Sequence, residues 1–502
     1  MILPQLVTGI VWIILLLVMP ISSFTPLSDL MGGTNVAPLA IIPAVIILVL
    51  CWLPVFFKGG RKLPYHFKPL LLFFLVGCLS TLLVSFRNVP TFQGFSMNRS
   101  IIETFITLAM GVGFYLVTIF MVKGEKELRS TIRWISIAGT IVIAISLLQV
   151  GTWSIFQRYP EWMHSLNRFL SSSRKLYEHR ASGLAFEPSW LAHQLNILFI
   201  PLWLGLSISG QSVFKKKLFN NIQIEGLLLV LGIFTLFLTL SRVGWLTLFL
   251  LIIYLVFRFA NIWINKMTQS FRSDSTIGRG KQRLLQVAIW VGLLVGLLVL
   301  VFVAGVIMTR VEPRMADFFD IDRLRERGFL DWAAQLSLAE RFMYWAAAYG
   351  VFQMFPIIGA GFGIPGFFFL HTVPDFGSQL LDINEIILTK FYLPNAKNLW
   401  ARLLSETGII GFALFVSWLV IHWRNANDLD KSTAPGLFKA MGLFGKLVVL
   451  AMIIEGFSLD SFGLPYYWIA LGLIAASWLI WSQDPVNAGA NVEVTNANNA
   501  RA

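Results

Sequence analysis

Residues 226–257 read GLLLVLGIFTLFLTLSRVGWLTLFLLIIYLVF, thirty-two residues with a single charge, Arg242. An apolar helix needs about 20 residues to cross a hydrocarbon core of ~30 Å. This stretch therefore divides into two membrane helices, with Arg242 in a very short turn between them. The rest of the chain repeats the pattern. Twelve apolar runs, near 5–24, 36–57, 69–86, 101–122, 130–151, 188–209, 223–240, 243–263, 284–307, 398–423, 438–456 and 462–482, are candidate helices. The expected fold is an all-α polytopic membrane protein of about twelve transmembrane helices.

Composition supports this reading. The 502 residues are 57% hydrophobic and only 13% charged, about half the charge of an ordinary soluble chain. The net charge of +13 does not point to nucleic acid, because the Lys and Arg residues gather in short loops between apolar runs. The loops at 58–68, 123–129, 215–217, 257–283 and 424–439 hold nineteen of them, and the alternating loops hold three. Basic residues mark the cytoplasmic side, so both termini are expected in the cytoplasm. Cys51 and Cys78 lie inside apolar runs and imply no disulfide framework. The first run has no basic leader or cleavage site and is read as a retained helix.

The chain then divides into helices one to five (1–151), an extracytoplasmic loop (152–187), helices six to nine (188–307), a large extracytoplasmic loop (308–397), helices ten to twelve (398–482) and a polar tail (483–502), expected to be disordered and cytoplasmic. The large loop mixes both charge signs with Phe, Leu and Trp. It is expected to form amphipathic helices over the membrane domain.

Four polar clusters fall on the outer face. HRASGLAFEPSW (179–190) holds Arg180 and Glu187, with Pro188 suited to a first helical turn and His193 following. Its plain reading is a charged helix start. TLSRVGW (239–245) holds Arg242, which is equally able to snorkel to headgroups. ERFMYWAAAYGVFQMFPIIGAGFGIPG (340–366) places Arg341 and Trp345 four residues apart, and Pro356 with Gly359, Gly361 and Gly363 ends that helix in a turn. NAKNLWARLLSETGIIGF (395–412) opens helix ten; Arg402 and Glu406 read as a structural ion pair, with Lys397 and Asn398 better placed to meet a substrate. Three arginines on separate elements, each permanently charged and able to bind phosphate oxygens in bidentate fashion, suit a lipid-linked phosphate or pyrophosphate. No His, Cys and carboxylate run has metal-ligand spacing, and no cofactor is implied.

These clusters, in this order from about 180 to 415, resemble the O-antigen ligase/polymerase family of bacterial membrane glycosyltransferases. The resemblance implies a GT-C-like helical fold and metal-independent transfer of glycan from an undecaprenyl-pyrophosphate-linked oligosaccharide to a hydroxyl. The reaction is expected on the extracytoplasmic face of the inner membrane, among membrane lipids and beside a flippase and chain-length regulator of the same pathway. Donor binding then maps to Arg180, Arg242 and Arg341, catalysis to Lys397, Glu187 or His193, and acceptor positioning to Asn398, His371 and Trp345. Family ligases carry a His where this chain has Lys397, a poor base when protonated. That departure favours a polymerase over a ligase. A flippase of lipid-linked sugars is the competing class; it is expected to carry broken midplane helices.

Overall fold

The computed structural model describes residues 4–59, 63–214, 223–273, 279–311, 316–317, 320–336, 338–380, 383, 389, 393–431 and 436–483. Among these, the regular elements are helical, and the one bridge pairs Ser23 with Ala37. Each of the twelve apolar runs is helical over most of its length. The helices are Gln5–Val18, Ile41–Phe57, Tyr65–Ser85, Met97–Met121, Glu125–Phe156, Pro188–Ile208, Ile224–Leu238, Arg242–Ser273, Arg279–Val311, Leu399–Lys431, Gly436–Glu455 and Pro465–Ser482. Seven are long and apolar enough to cross a membrane; Gln5–Val18, Ile41–Phe57 and Ile224–Leu238 are shorter apolar helices. The chain is thus a polytopic helical protein. The Lys215–Lys217 cluster and the tail from residue 484 lie outside the described residues.

Burial separates central helices from peripheral ones. The 188–208 and 436–455 helices bury 83% and 78% of their apolar windows, against 39% for 65–85 and for 242–264. The 65–85 helix leaves Leu71, Leu72, Leu75, Leu79, Leu82 and Leu83 exposed, an apolar surface suited to lipid rather than water. Trp203, Trp418 and Trp468 are fully buried between the central helices. Where a tryptophan penetrates this far, its indole N–H needs an acceptor. Trp203 Nε1 donates to Ser136 Oγ at 3.2 Å and Trp468 Nε1 to Phe462 O at 2.6 Å.

One end of the bundle is tied by charge. Asp430 accepts from both terminal nitrogens of Arg258 and from Lys446 Nζ at 2.8 Å, joining the 399–431, 242–273 and 436–455 helices. Because the helices alternate in direction, the polar clusters singled out above gather at the opposite end, called here the site end. There the large loop forms the helices Ile321–Gln335 and Ala339–Met354, as expected, and the 152–187 loop adds Glu161–Leu170, which exposes Trp162, Leu166 and Phe169. The 339–354 helix rests on the 399–431 helix.

The 399–431 helix is broken at Gly408, whose φ of 61° and ψ of −166° are not helical. The freed backbone groups are satisfied by the segment after Met354. Ala360 N donates to Ser405 O (2.8 Å), Gly361 N to Glu406 O (2.9 Å), Ile409 N to Pro356 O (2.9 Å) and Ile410 N to Ile357 O (3.2 Å). Irregular backbone at membrane depth is tolerated only where protein buries it, and Gly408 is buried. The two strands approach so closely that a Cβ on Gly359 meets the Glu406 backbone at 2.4 Å. The glycines expected to form a turn therefore brace an unwound helix.

Candidate functional site

The 177–187 loop is held from three sides. Gln149, buried near the end of the 125–156 helix, accepts from Ser182 N (3.1 Å) and Gly183 N (2.8 Å) and donates to Gly183 O (3.0 Å). Ala181 N donates to Leu238 O at 2.9 Å. Arg180 Nε donates to Thr239 O at 3.1 Å. Arg180 is thereby fixed on the 239–242 turn, from which Arg242 opens the 242–273 helix. The two residues come from stretches sixty residues apart, and backbone contacts bring those stretches together.

Arg341 stands in the first turn of the 339–354 helix and donates from Nη1 to Ser458 Oγ at 3.3 Å. Burial pushes its pKa down, opposed by the carboxylates of Glu187 and Asp460. Glu187 also acts on Tyr177, whose pKa is raised first by burial and then by that carboxylate, while Arg180 lowers it. Glu187 thus stands within electrostatic reach of Arg341 and of the residue that also senses Arg180. Its Oε1 accepts from Ser189 Oγ.

Asp460, in the turn between the last two helices, gathers the remaining cations. Burial raises its pKa, and Arg402, Lys397 and Arg341 lower it. Lys397 has a left-handed backbone (φ 46°), and its Nζ lies 3.9 Å from the centre of the Tyr344 ring. A ring face attracts a cation. Arg402 Nε bonds Glu406 Oε1 at 3.1 Å and Nη1 bonds Asp460 O, so the expected structural pair is present and extends to a third residue.

Four further candidate residues take other places in the fold. His193 is 1% exposed and lies between central helices, with Nδ1 2.6 Å from Glu455 Oε2; Asn196 Nδ2 holds the other oxygen at 2.7 Å. It is packed away from the site. Asn398 accepts from Trp400 N (2.8 Å) and Ala401 N (3.1 Å) through Oδ1 at 3% exposure, so it caps the 399–431 helix. His371, on the short Phe369–Thr372 helix, is exposed. Trp345 packs against Phe342 and Phe457, next to the Arg341–Ser458 bond. Asp460 was not weighed from the sequence. Its signal was a lone acid in SLDSFG (458–463), the short polar link between the last two apolar runs.

Beside this cluster opens a cavity of about 530 Å³, within the range of small-ligand sites. Asp460 forms part of its wall together with Arg402, Glu406, Arg99, Glu103 and Tyr344.

No curated protein matches the chain. Residues 227–416 match the family model described as O-antigen ligase. The matched segment runs from the 224–238 helix past the break at Gly408, and includes Arg242, Arg341 and Lys397; Arg180 and Glu187 lie upstream of it. Over that segment the chain is similar to the O-antigen ligase family.

Proposed function

We propose that this protein is a polysaccharide polymerase that moves a glycan from an undecaprenyl-pyrophosphate donor onto the hydroxyl of an acceptor sugar, at the extracytoplasmic face of the bacterial inner membrane. The observation that carries the reading is the Arg180 Nε bond to Thr239 O, which fixes Arg180 on the turn that leads into Arg242, together with Glu187, whose carboxylate acts electrostatically on Arg341 and, as Arg180 does, on Tyr177. Guanidiniums on separate elements, two of them joined through the 239–242 turn, suit an anion such as pyrophosphate.

The donor supplies its own leaving group, so strong acid catalysis is not needed. The arginines stabilise charge as the glycosidic C–O bond to pyrophosphate breaks. The acceptor oxygen forms the new bond, and its proton passes to a nearby base. His193 is too buried for that role, and Lys397 sits as a cation on Tyr344. Asp460 is a carboxylate at the junction of the cations and the cavity, with its pKa raised by burial. It is the better base.

The ligase reading is favoured by one observation, the description carried by the matching family model. The flippase reading draws on the broken helix at Gly408, although that break lies in the third turn and is braced by 356–361. Purified protein in vesicles with lipid-linked repeat units separates all three. Polymerase lengthens the glycan on its carrier, a ligase leaves it unchanged until lipid A core is added, and a flippase only changes its leaflet.

A further inference from the structure

The cavity of about 530 Å³ is lined by Arg99, Glu103, Arg402, Glu406 and Asp460, with Tyr344, Phe369 and Phe95 among its apolar walls. Its charges are three carboxylates against two guanidiniums. Arg99 is committed to Glu103 at 2.8 Å and to Gly32 O at 3.2 Å, both at the exposed mouth. Arg402 is committed to Glu406, Asp460 O and Thr104 Oγ1. An excess of negative charge with both cations engaged is a poor place for a phosphate. It is a good place for groups that donate hydrogen bonds.

Two of the carboxylates each keep one oxygen without a donor. Glu406 is 4% exposed, and its Oε1 accepts from Arg402 and from Gly363 N at 3.1 Å, while its Oε2 accepts nothing. Asp460 Oδ2 is likewise buried and without a donor. A buried acceptor left empty is costly. Phe95, 37% exposed, offers an apolar ring at the rim. An aromatic face at the mouth and acceptor oxygens in the wall match a pyranose ring, apolar across its C–H face and rich in hydroxyls at its edge.

We infer that this cavity is the acceptor subsite, binding a neutral, hydroxyl-rich sugar of the growing glycan separately from the pyrophosphate of the donor. The inference rests on the glycosyl-transfer reading and sharpens it. Asp460 is the shared wall, with the cavity on one side and Arg341 and Lys397 within electrostatic reach. A hydroxyl bound there lies next to the carboxylate that takes its proton.

The test uses the full-length protein in nanodiscs and, as probe, the free oligosaccharide released by mild acid from the strain's own lipid carrier. Saturation-transfer NMR reads its binding. The wild type is expected to give transfer signals on the sugar protons that inorganic pyrophosphate does not displace. Arg341→Ala should keep those signals while losing glycan extension. Ala348→Trp, which fills the cavity from the 339–354 helix, should lose the signals, and the isosteric Asp460→Asn should weaken binding about tenfold. Absence of signal from wild-type protein that extends glycan overturns the inference, as does undiminished signal in both cavity variants. Sugar binding in a protein that never extends glycan overturns the enzymatic reading and leaves the cavity as a carbohydrate site.

Discussion

Nδ1 of His193 lies 2.6 Å from Glu455 Oε2, and neither side chain exceeds 1% exposure. This pair fastens the 188–208 helix to the 436–455 helix, the two most buried of the seven candidate membrane spans. Removing one partner of a buried pair costs about 3–5 kcal/mol, whereas replacing both by apolar groups is often neutral. His193→Ala is therefore expected to lower the thermal unfolding midpoint sharply. The double variant His193→Leu/Glu455→Leu should recover it along with transfer activity. A stable but inactive His193→Ala protein would return this histidine to the catalytic candidates.

Gly408 carries a second structural prediction. Its φ and ψ fall where residues with a side chain are strained, and a Cβ there meets Ile357 C and O at 2.4 Å. Gly408→Ala is expected to destabilise by roughly 1–3 kcal/mol from backbone strain, with overpacking adding a similar amount. The same change displaces Glu406 and so weakens activity beyond the loss of folded protein. Specific activity per folded molecule, measured after size-exclusion chromatography, separates the two effects.

The helices were legible because burial in lipid leaves a strong one-dimensional record: about 20 apolar residues in a row. Which polar residues meet at the site end was not legible. Asn398 and Lys397 are neighbours in sequence, yet one caps a helix and the other stacks on Tyr344. His193 looked like a base because composition records a histidine near the site end, not that Glu455 arrives from 262 residues away. Asp460 went unweighed because a lone acid in a short loop has no periodicity to announce it.

Arg341 is expected to tolerate no replacement. Its Nη1 bonds Ser458, and Glu187 and Asp460 act on it electrostatically, while a lysine ammonium lacks the planar fork that spans two oxygens. Arg341→Lys and Arg341→Ala should each reduce glycan extension by at least about 10²-fold, of the order expected when one preorganised charge-stabilising donor is lost. Quantifying polymer on gels, normalised to membrane-inserted protein, checks this. Near-wild-type polymer in Arg341→Lys would place the pyrophosphate elsewhere.

Lys397 should behave as a cation, not as a base. With Nζ 3.9 Å from the Tyr344 ring centre, Lys397→Arg keeps a cation for that face and is expected to retain most activity, while Lys397→Met loses roughly tenfold or more. The cation–π contact itself contributes about 0.5–2 kcal/mol. Tyr344→Leu should reproduce part of the Lys397→Met loss, and the two changes combined should be less than additive. Activity measured across this double-mutant cycle supplies the check; full additivity would separate the two residues.

Asp460 offers a prediction with opposite signs for stability and activity. Burial, its largest influence, raises its pKa above 3.8 despite Arg402, Lys397 and Arg341. An acid whose pKa is higher folded than unfolded favours the fold when protonated. Its stabilising contribution is full below pH 3.8 and is lost as pH rises through the raised value. Asp460→Asn, which keeps the shape without the charge, is therefore expected to leave the unfolding midpoint at pH 8 equal to or above that of the wild type. Activity should move the other way. A base works when deprotonated, so wild-type transfer rises with pH through the raised pKa, and the Asn variant loses about 10²–10⁴-fold together with that acidic limb. Rate profiles between pH 5 and pH 8, with unfolding scans on the same samples, decide it. A variant that loses stability at pH 8 but keeps the wild-type pH profile would make Asp460 a structural anchor and leave the proton to another group.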